Sequence, residues 1–111
     1  MTPKLKAKYQ EQARIIKALA HPSRLMMVEE LNNGKRCVSE LTEMVEADTS
    51  TVSKHLNVLK NAGLVSMEKV GTTIYYHLRM ACLLDFLRCI ESVIEANALG
   101  QMETMISCRL K

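Results

Sequence analysis

Between Asp48 and Asn61 two kinds of residue alternate on a helical period. Val52, Leu56 and Leu59 fall on one side of a helix and must face a core. Ser50, Ser53, Lys54, Asn57 and Asn61 fall on the other, and no acidic residue follows Asp48 in this stretch. Short hydroxyls and amides near a helix N-terminus can donate to and accept from base edges in a major groove, while lysine holds phosphate. The helix N-terminus itself attracts a phosphate. A merely solvated face would normally carry glutamate, so the composition points to double-stranded DNA. The candidate contacts here are Thr49, Ser50, Thr51, Ser53, Lys54 and Asn57. A glycine-centred turn further on adds Lys69, Gly71, Thr72 and Thr73, placed to reach an adjacent phosphate or minor groove.

The second reactive set is thiol. Cysteines stand at 37, 82, 89 and 108, with no pair closer than seven residues. That spacing fits neither a zinc finger nor a secreted disulfide scaffold, so reduced thiols are expected. Cys37 sits where a helix N-cap is expected, beside Lys35 and Arg36, a setting that favours the thiolate. Cys82 and Cys89 are expected at the edge of the last helix's apolar arc. They lie about 10 Å apart along the axis, too far to share one ion or form a disulfide without another segment. Cys37, Cys82 and Cys89 are therefore the candidate effector residues, and Cys108 reads as a small buried hydrophobe. His21, His55 and His77 are scattered and read as structural. No nucleophile–base pair, paired carboxylates or phosphate-cradling glycine loop occurs, which argues against an enzyme.

These groups need a scaffold, and the pattern supplies one. A helix from about 5 to 20 has an apolar face of Tyr9, Ala13, Ile16 and Ala20. His21-Pro22 ends it and starts a second helix with Leu25, Met26, Val28 and Leu31 inward, stopped by Asn32-Asn33-Gly34. A short helix from Val38 to Glu46 buries Val38, Leu41, Met44 and Val45, with Glu40 in the capping-box position. Asp48 caps the fourth helix and Gly63 ends it. Two β-rich runs around Gly71-Thr72 predict a hairpin, with Ile74, Tyr76 and Leu78 on one side. The last helix, about 80 to 98, has an apolar arc of about 180° running from Leu83 through Leu84, Phe86, Leu87, Ile90, Val93 and Ile94 to Ala98. Met102, Met105, Ile106 and Arg109 resume an amphipathic spacing. The expected fold is mainly α with a two-stranded β wing, in the order α-α-α-α-β-β-α. One domain spans 1–111, with a helix-turn-helix at about 38–62, a wing at about 64–78 and pairing helices at about 5–20 and 80–98.

At 111 residues the chain suffices for one such domain. Its net charge of +3 is unevenly spread: +5 over residues 1–25, −4 over 26–48, +3 over 49–79 and −1 beyond. Two basic segments around an acidic one suit a polyanion partner. No apolar run is long enough for a membrane span, and the N-terminus lacks a signal-peptide core; a cytoplasmic location is expected.

The runs ALAHPSRLMMVEEL, CVSEL and TSTVSKHLNVLKNAGLVSMEKVGTTIYYHL, in that order, resemble the winged-helix core of the ArsR/SmtB repressor family over about residues 14–79. The resemblance implies a homodimeric DNA-binding repressor, paired through its first and last helices. The broad apolar arc of residues 83–98 independently asks for a second copy. Metal-sensing and arsenic-sensing members often carry Cys-Val-Cys where this chain has Cys37-Val38-Ser39, so one thiol matches and the other is a hydroxyl. A second family metal site, on the last helix, finds only Cys82, with Val93 and Ala96 at the other ligand positions. The expected function is a sequence-specific transcriptional regulator. Its release from operator DNA would follow a thiol-directed effector: metalloid, soft metal, or redox or sulfur species. No resident cofactor is expected beyond such a thiol-bound metal or metalloid. The competing reading is a winged-helix protein-interaction module that does not read DNA.

Overall fold

The computed structural model describes residues 1–100. The chain divides into two compact units, Met1–Met80 and Ala81–Lys111.

In the first unit, α1 (Pro3–Leu19) is capped by Thr2, whose hydroxyl accepts from the Leu5 N–H at 3.2 Å. Then α2 (Pro22–Asn32) starts on Pro22, with His21 Nδ1 accepting from the Ser23 N–H at 3.1 Å. A proline loses nothing at this position, because the first N–H of a helix has no intrahelical partner. A two-residue strand, β1 (Arg36–Cys37), leads into α3 (Val38–Val45). Glu46 steps into the left-handed region at φ 55° and turns the chain towards α4 (Thr49–Asn61). The hairpin is β2 (Val65–Val70) and β3 (Thr73–Leu78), turning at Gly71 with φ +65°.

The sheet has three antiparallel strands in the order β1-β3-β2, not the two expected. Arg36 pairs with Tyr76 and Cys37 with Tyr75. A two-residue strand has no period to detect, so only the partner reveals it. Its effect is to tie the start of α3 to the wing.

The core of this unit is Met27, Val28 and Leu31 from α2, Leu41 from α3, and Val52, Leu56 and Leu59 from α4, closed by Leu64 and Val65. The α4 triplet is fully buried, as its period requires. On α2, Val28 and Leu31 are buried as expected, but of the adjacent methionines Met26 is 45% exposed and Met27 fully buried. With adjacent methionines the period is indifferent, and packing chooses. Ile74, expected inward with Tyr76 and Leu78, stands in solvent near the hairpin tip, which outreaches the core. On α1, Leu5, Tyr9 and Ile16 line up exposed at helical spacing.

In the second unit, α5 (Leu83–Leu99) ends at Gly100, whose N–H bonds Ala96 O in a left-handed cap. The helix begins three residues later than expected, because residues 81–82 form a tight turn: the Leu84 and Asp85 N–H groups bond Ala81 O and Cys82 O, each at 3.1 Å. Cys82 is thus the N-cap residue, not a member of the helix. Phe86, Ile90 and Ile94 are exposed in a row with four-residue spacing. The amphipathic spacing read at Met102–Arg109, and Cys108, lie outside the described residues. Among the described residues no helix is long and apolar enough to cross a membrane.

Candidate nucleic-acid interface

The N-terminus of α4 is organised by Asp48. One carboxylate oxygen accepts from the Thr51 N–H at 2.7 Å and the Ser50 hydroxyl at 3.0 Å. The Thr51 hydroxyl and N–H, then the Ser50 hydroxyl, hold this carboxyl below its ordinary 3.8, with Lys54 adding to the effect. Asp48 therefore stays ionised and caps the helix, so the Thr51 N–H is not open to a phosphate. Ser50 has already committed its proton and presents lone pairs outward. Ser53 makes no hydrogen bond among the described residues, and its hydroxyl is open to either role.

Behind Asp48 the outer face of α4 presents Thr49, Ser50, Ser53, Lys54, Asn57 and Asn61, all exposed, with Thr51 half-buried. Val52, Leu56 and Leu59 anchor the opposite side, so the polar row is held on a rigid, solvent-facing helix. Its back is braced by Arg24 of α2, which donates from Nη1 to His55 Nδ1 at 3.2 Å and from Nε to Ala18 O at 2.7 Å. The His21 and His55 rings lie 4.3 Å apart. Burial first, then the charges at His21 and Arg24, push the His55 pKa below its ordinary 6.5. The imidazole is held neutral, as an acceptor from arginine must be. Sequence reasoning missed this brace; its partners lie 31 residues apart on different helices.

The wing carries Lys69, Gly71 and Thr72 exposed and Thr73 half-buried. Val70 pairs with Thr73 and Lys69 with Ile74, which puts all four candidates at the tip. A Cβ at Gly71 would meet nothing within 4 Å, so the turn is open on its outer side. The base of the wing is fixed. Glu68 takes His77 Nε2 at 2.7 Å and Lys35 Nζ at 3.8 Å, and Lys35 also lies over the Tyr75 ring. Arg79 donates to Gly63 O at 3.1 Å, joining β3 to the end of α4. α4 and the wing tip thus belong to one stiff assembly within the first unit, carrying exposed cations and short polar groups.

The thiols are placed differently from expectation. Cys37 is half-buried at the N-cap of α3, its N–H donating to Glu40 at 2.9 Å and its sulfur 3.2 Å from the Ser39 hydroxyl. That N–H, the Cys37 thiol and Arg36 all draw the Glu40 carboxyl below its ordinary 4.5, the N–H most strongly. The two cations expected to act on the sulfur are engaged elsewhere: Arg36 with Glu30 at 3.1 Å, and Lys35 with Glu68. Cys82 is an exposed free thiol. Cys89 is disulfide-bonded, against the expectation of uniformly reduced thiols. Among the described residues no group of three histidines, cysteines or carboxylates is placed to hold a metal ion.

Residues 21–67 match the sequence profile of bacterial regulatory proteins of the arsR family. The chain is 40% identical over 72 residues to an HTH-type transcriptional regulator of Methanocaldococcus jannaschii, covering 64% of this chain and 81% of that one. It is 34% identical over 98 residues to the biofilm growth-associated repressor of Agrobacterium fabrum, covering 86% and 84%. Other curated relatives are spanned over only 47% to 63% of their length. Among solved structures, it resembles the homodimeric winged helix-turn-helix DNA-binding domain of a possible ArsR-family regulator from Mycobacterium bovis. That likeness has a TM-score of 0.76 at 25% identity and covers 92% of this chain and 94% of that one.

Proposed function

Since this chain belongs to the arsR family of bacterial regulatory proteins, transcriptional regulators and not enzymes, we propose that it is a cytoplasmic homodimeric repressor that reads a palindromic operator with α4 and the wing tip. One observation carries the reading: a rigid α4 whose exposed face is hydroxyl, amide and lysine, with no acid beyond its cap. A helix of this composition has the donors and acceptors for base edges and the charge for phosphate. The Mycobacterium bovis domain is homodimeric. In this chain the exposed apolar rows on α1 and α5 are the surfaces a second copy would cover.

The test is a titration of the full chain against palindromic and random duplexes at several salt concentrations. The repressor reading expects binding to weaken by about a thousandfold or more between 50 and 200 mM salt, with clear preference for a palindrome. A shallow salt slope with equal binding to all duplexes would overturn it in favour of a protein-interaction module.

The proposed inducing signal is a thiol-directed effector, metalloid, soft metal or oxidising sulfur species, acting first at Cys37. Cys37 opens α3, whose other end turns through Glu46 into α4, so a change at the sulfur has a short covalent route to the reading helix. Cys82 is exposed and open to the same chemistry, whereas Cys89 joins only after its disulfide is reduced. The effector acts only if its bound state favours a different α3–α4 arrangement. Cys37→Ser is expected to keep fold and DNA affinity, since serine is a strong N-cap residue, and to lose release. Fluorescence anisotropy of bound operator with arsenite, cadmium or a persulfide donor checks this, and normal release from the variant would remove Cys37 from the mechanism.

A further inference from the structure

Three cations line an open groove of about 340 Å³ within the first unit, beside the C-terminal end of α4. Arg14 and Lys17 enter from α1 and Arg24 from α2, and no carboxylate lines the groove. The rest of the wall is Ala18, Val58 and Ala62, which form an apolar patch, and the polar Asn61 at the end of α4. Arg24 is fixed by its bonds to Ala18 O and His55. Arg14 gives Nε to Glu11 at 2.8 Å and reaches Asn61 O at 3.4 Å, which spans the groove from α1 to the end of α4. Lys17 and Arg24 form no ion pair among the described residues, so two of the three cations are uncompensated there.

Lys17 and Arg24, without carboxylate partners in the groove, repel one another and are screened by water alone. An anion relieves that repulsion, and the apolar patch adds selectivity for what the anion is attached to. We propose that this groove binds a small organic anion, a carboxylate or phosphate monoester carried on an apolar body about the size of one aromatic ring. The charged end would meet Lys17 and the two arginines, and the body would cover Val58 and the two alanines. Operator phosphate is the other source of anionic oxygen, but a sugar–phosphate backbone offers only its deoxyribose carbons and no aromatic body to cover that patch.

The experiment is an NMR titration of the ¹⁵N-labelled full chain with phenyl phosphate, with inorganic phosphate and benzamidine as comparisons. Saturable shifts at the Lys17, Ala18, Asn61 and Ala62 amides are expected with phenyl phosphate. Inorganic phosphate should bind more weakly and benzamidine not at all. Lys17→Gln and Arg14→Gln, both at exposed positions and checked for fold by circular dichroism, should each weaken phenyl phosphate about tenfold. Equal binding of inorganic and phenyl phosphate, or no saturable shift, would overturn the proposal. So would displacement of phenyl phosphate by a random duplex together with an equal loss of duplex affinity in Lys17→Gln, which would assign these cations to the DNA backbone.

Discussion

Ile90→Glu is expected to convert the proposed dimer to a soluble monomer and to lower operator affinity by about two to four orders of magnitude, the loss of avidity when two half-sites are no longer read together. Ile90 is 42% exposed and stands between Phe86, 44% exposed, and Ile94, 55% exposed, on one stripe of α5. Such side chains gain about 1.5–3 kcal/mol each on full burial, and they recover part of that only when another surface covers them. An unpaired glutamate in the middle of the stripe would have to be desolvated with no partner, which costs more than the isoleucine gained. Because the side chain is already half in solvent, the monomer's own fold should be little affected. Sedimentation equilibrium gives the mass, circular dichroism the helix content, and anisotropy the affinity. A variant that remains dimeric with parental affinity would show that copies pair through another surface.

How far these features were legible in the sequence depends on the kind of signal each leaves. The helix α4 was visible in full, because its cap, its buried triplet and its acid-free face all lie within one element. The hairpin was visible from its β-rich runs and Gly71. What could not be read was whatever depends on a partner remote in sequence. The strand Arg36–Cys37 exists only because Tyr75 and Tyr76 lie beside it. Lys35 and Arg36 looked like the electrostatic setting of Cys37, and the fold gives them to Glu68 and Glu30 instead. At Met26-Met27 two equivalent residues adjoin, and only the angle at which α2 meets the core decides which is buried. The start of α5 was misplaced because Met80, Ala81 and Cys82 all have side chains a helix accepts; the turn bonds at Ala81 and Cys82 set the boundary.

The candidate DNA contacts should separate into two classes when altered one at a time. Ser53→Ala and Asn57→Ala remove groups able to bond base edges, and each is expected to cost about 1–3 kcal/mol on the preferred operator and little on random duplex. Ser50→Ala should cost less than Ser53→Ala, because the Ser50 hydroxyl proton already belongs to Asp48 at 3.0 Å, whereas Ser53 is uncommitted. Lys54→Gln and Lys69→Gln remove charge from the helix face and the wing tip, and should weaken all duplexes alike while flattening the salt dependence by about one unit of slope each. None of these side chains is buried, so thermal stability should be retained in all five variants, and a loss of binding can be assigned to the interface. Competition anisotropy against operator and random duplex, each at several salt concentrations, measures both classes in one set of titrations. If the serine and asparagine variants lose random and operator binding equally, α4 supplies charge and shape but does not read bases. If all five bind operator like the parent, the reading surface lies elsewhere on the molecule.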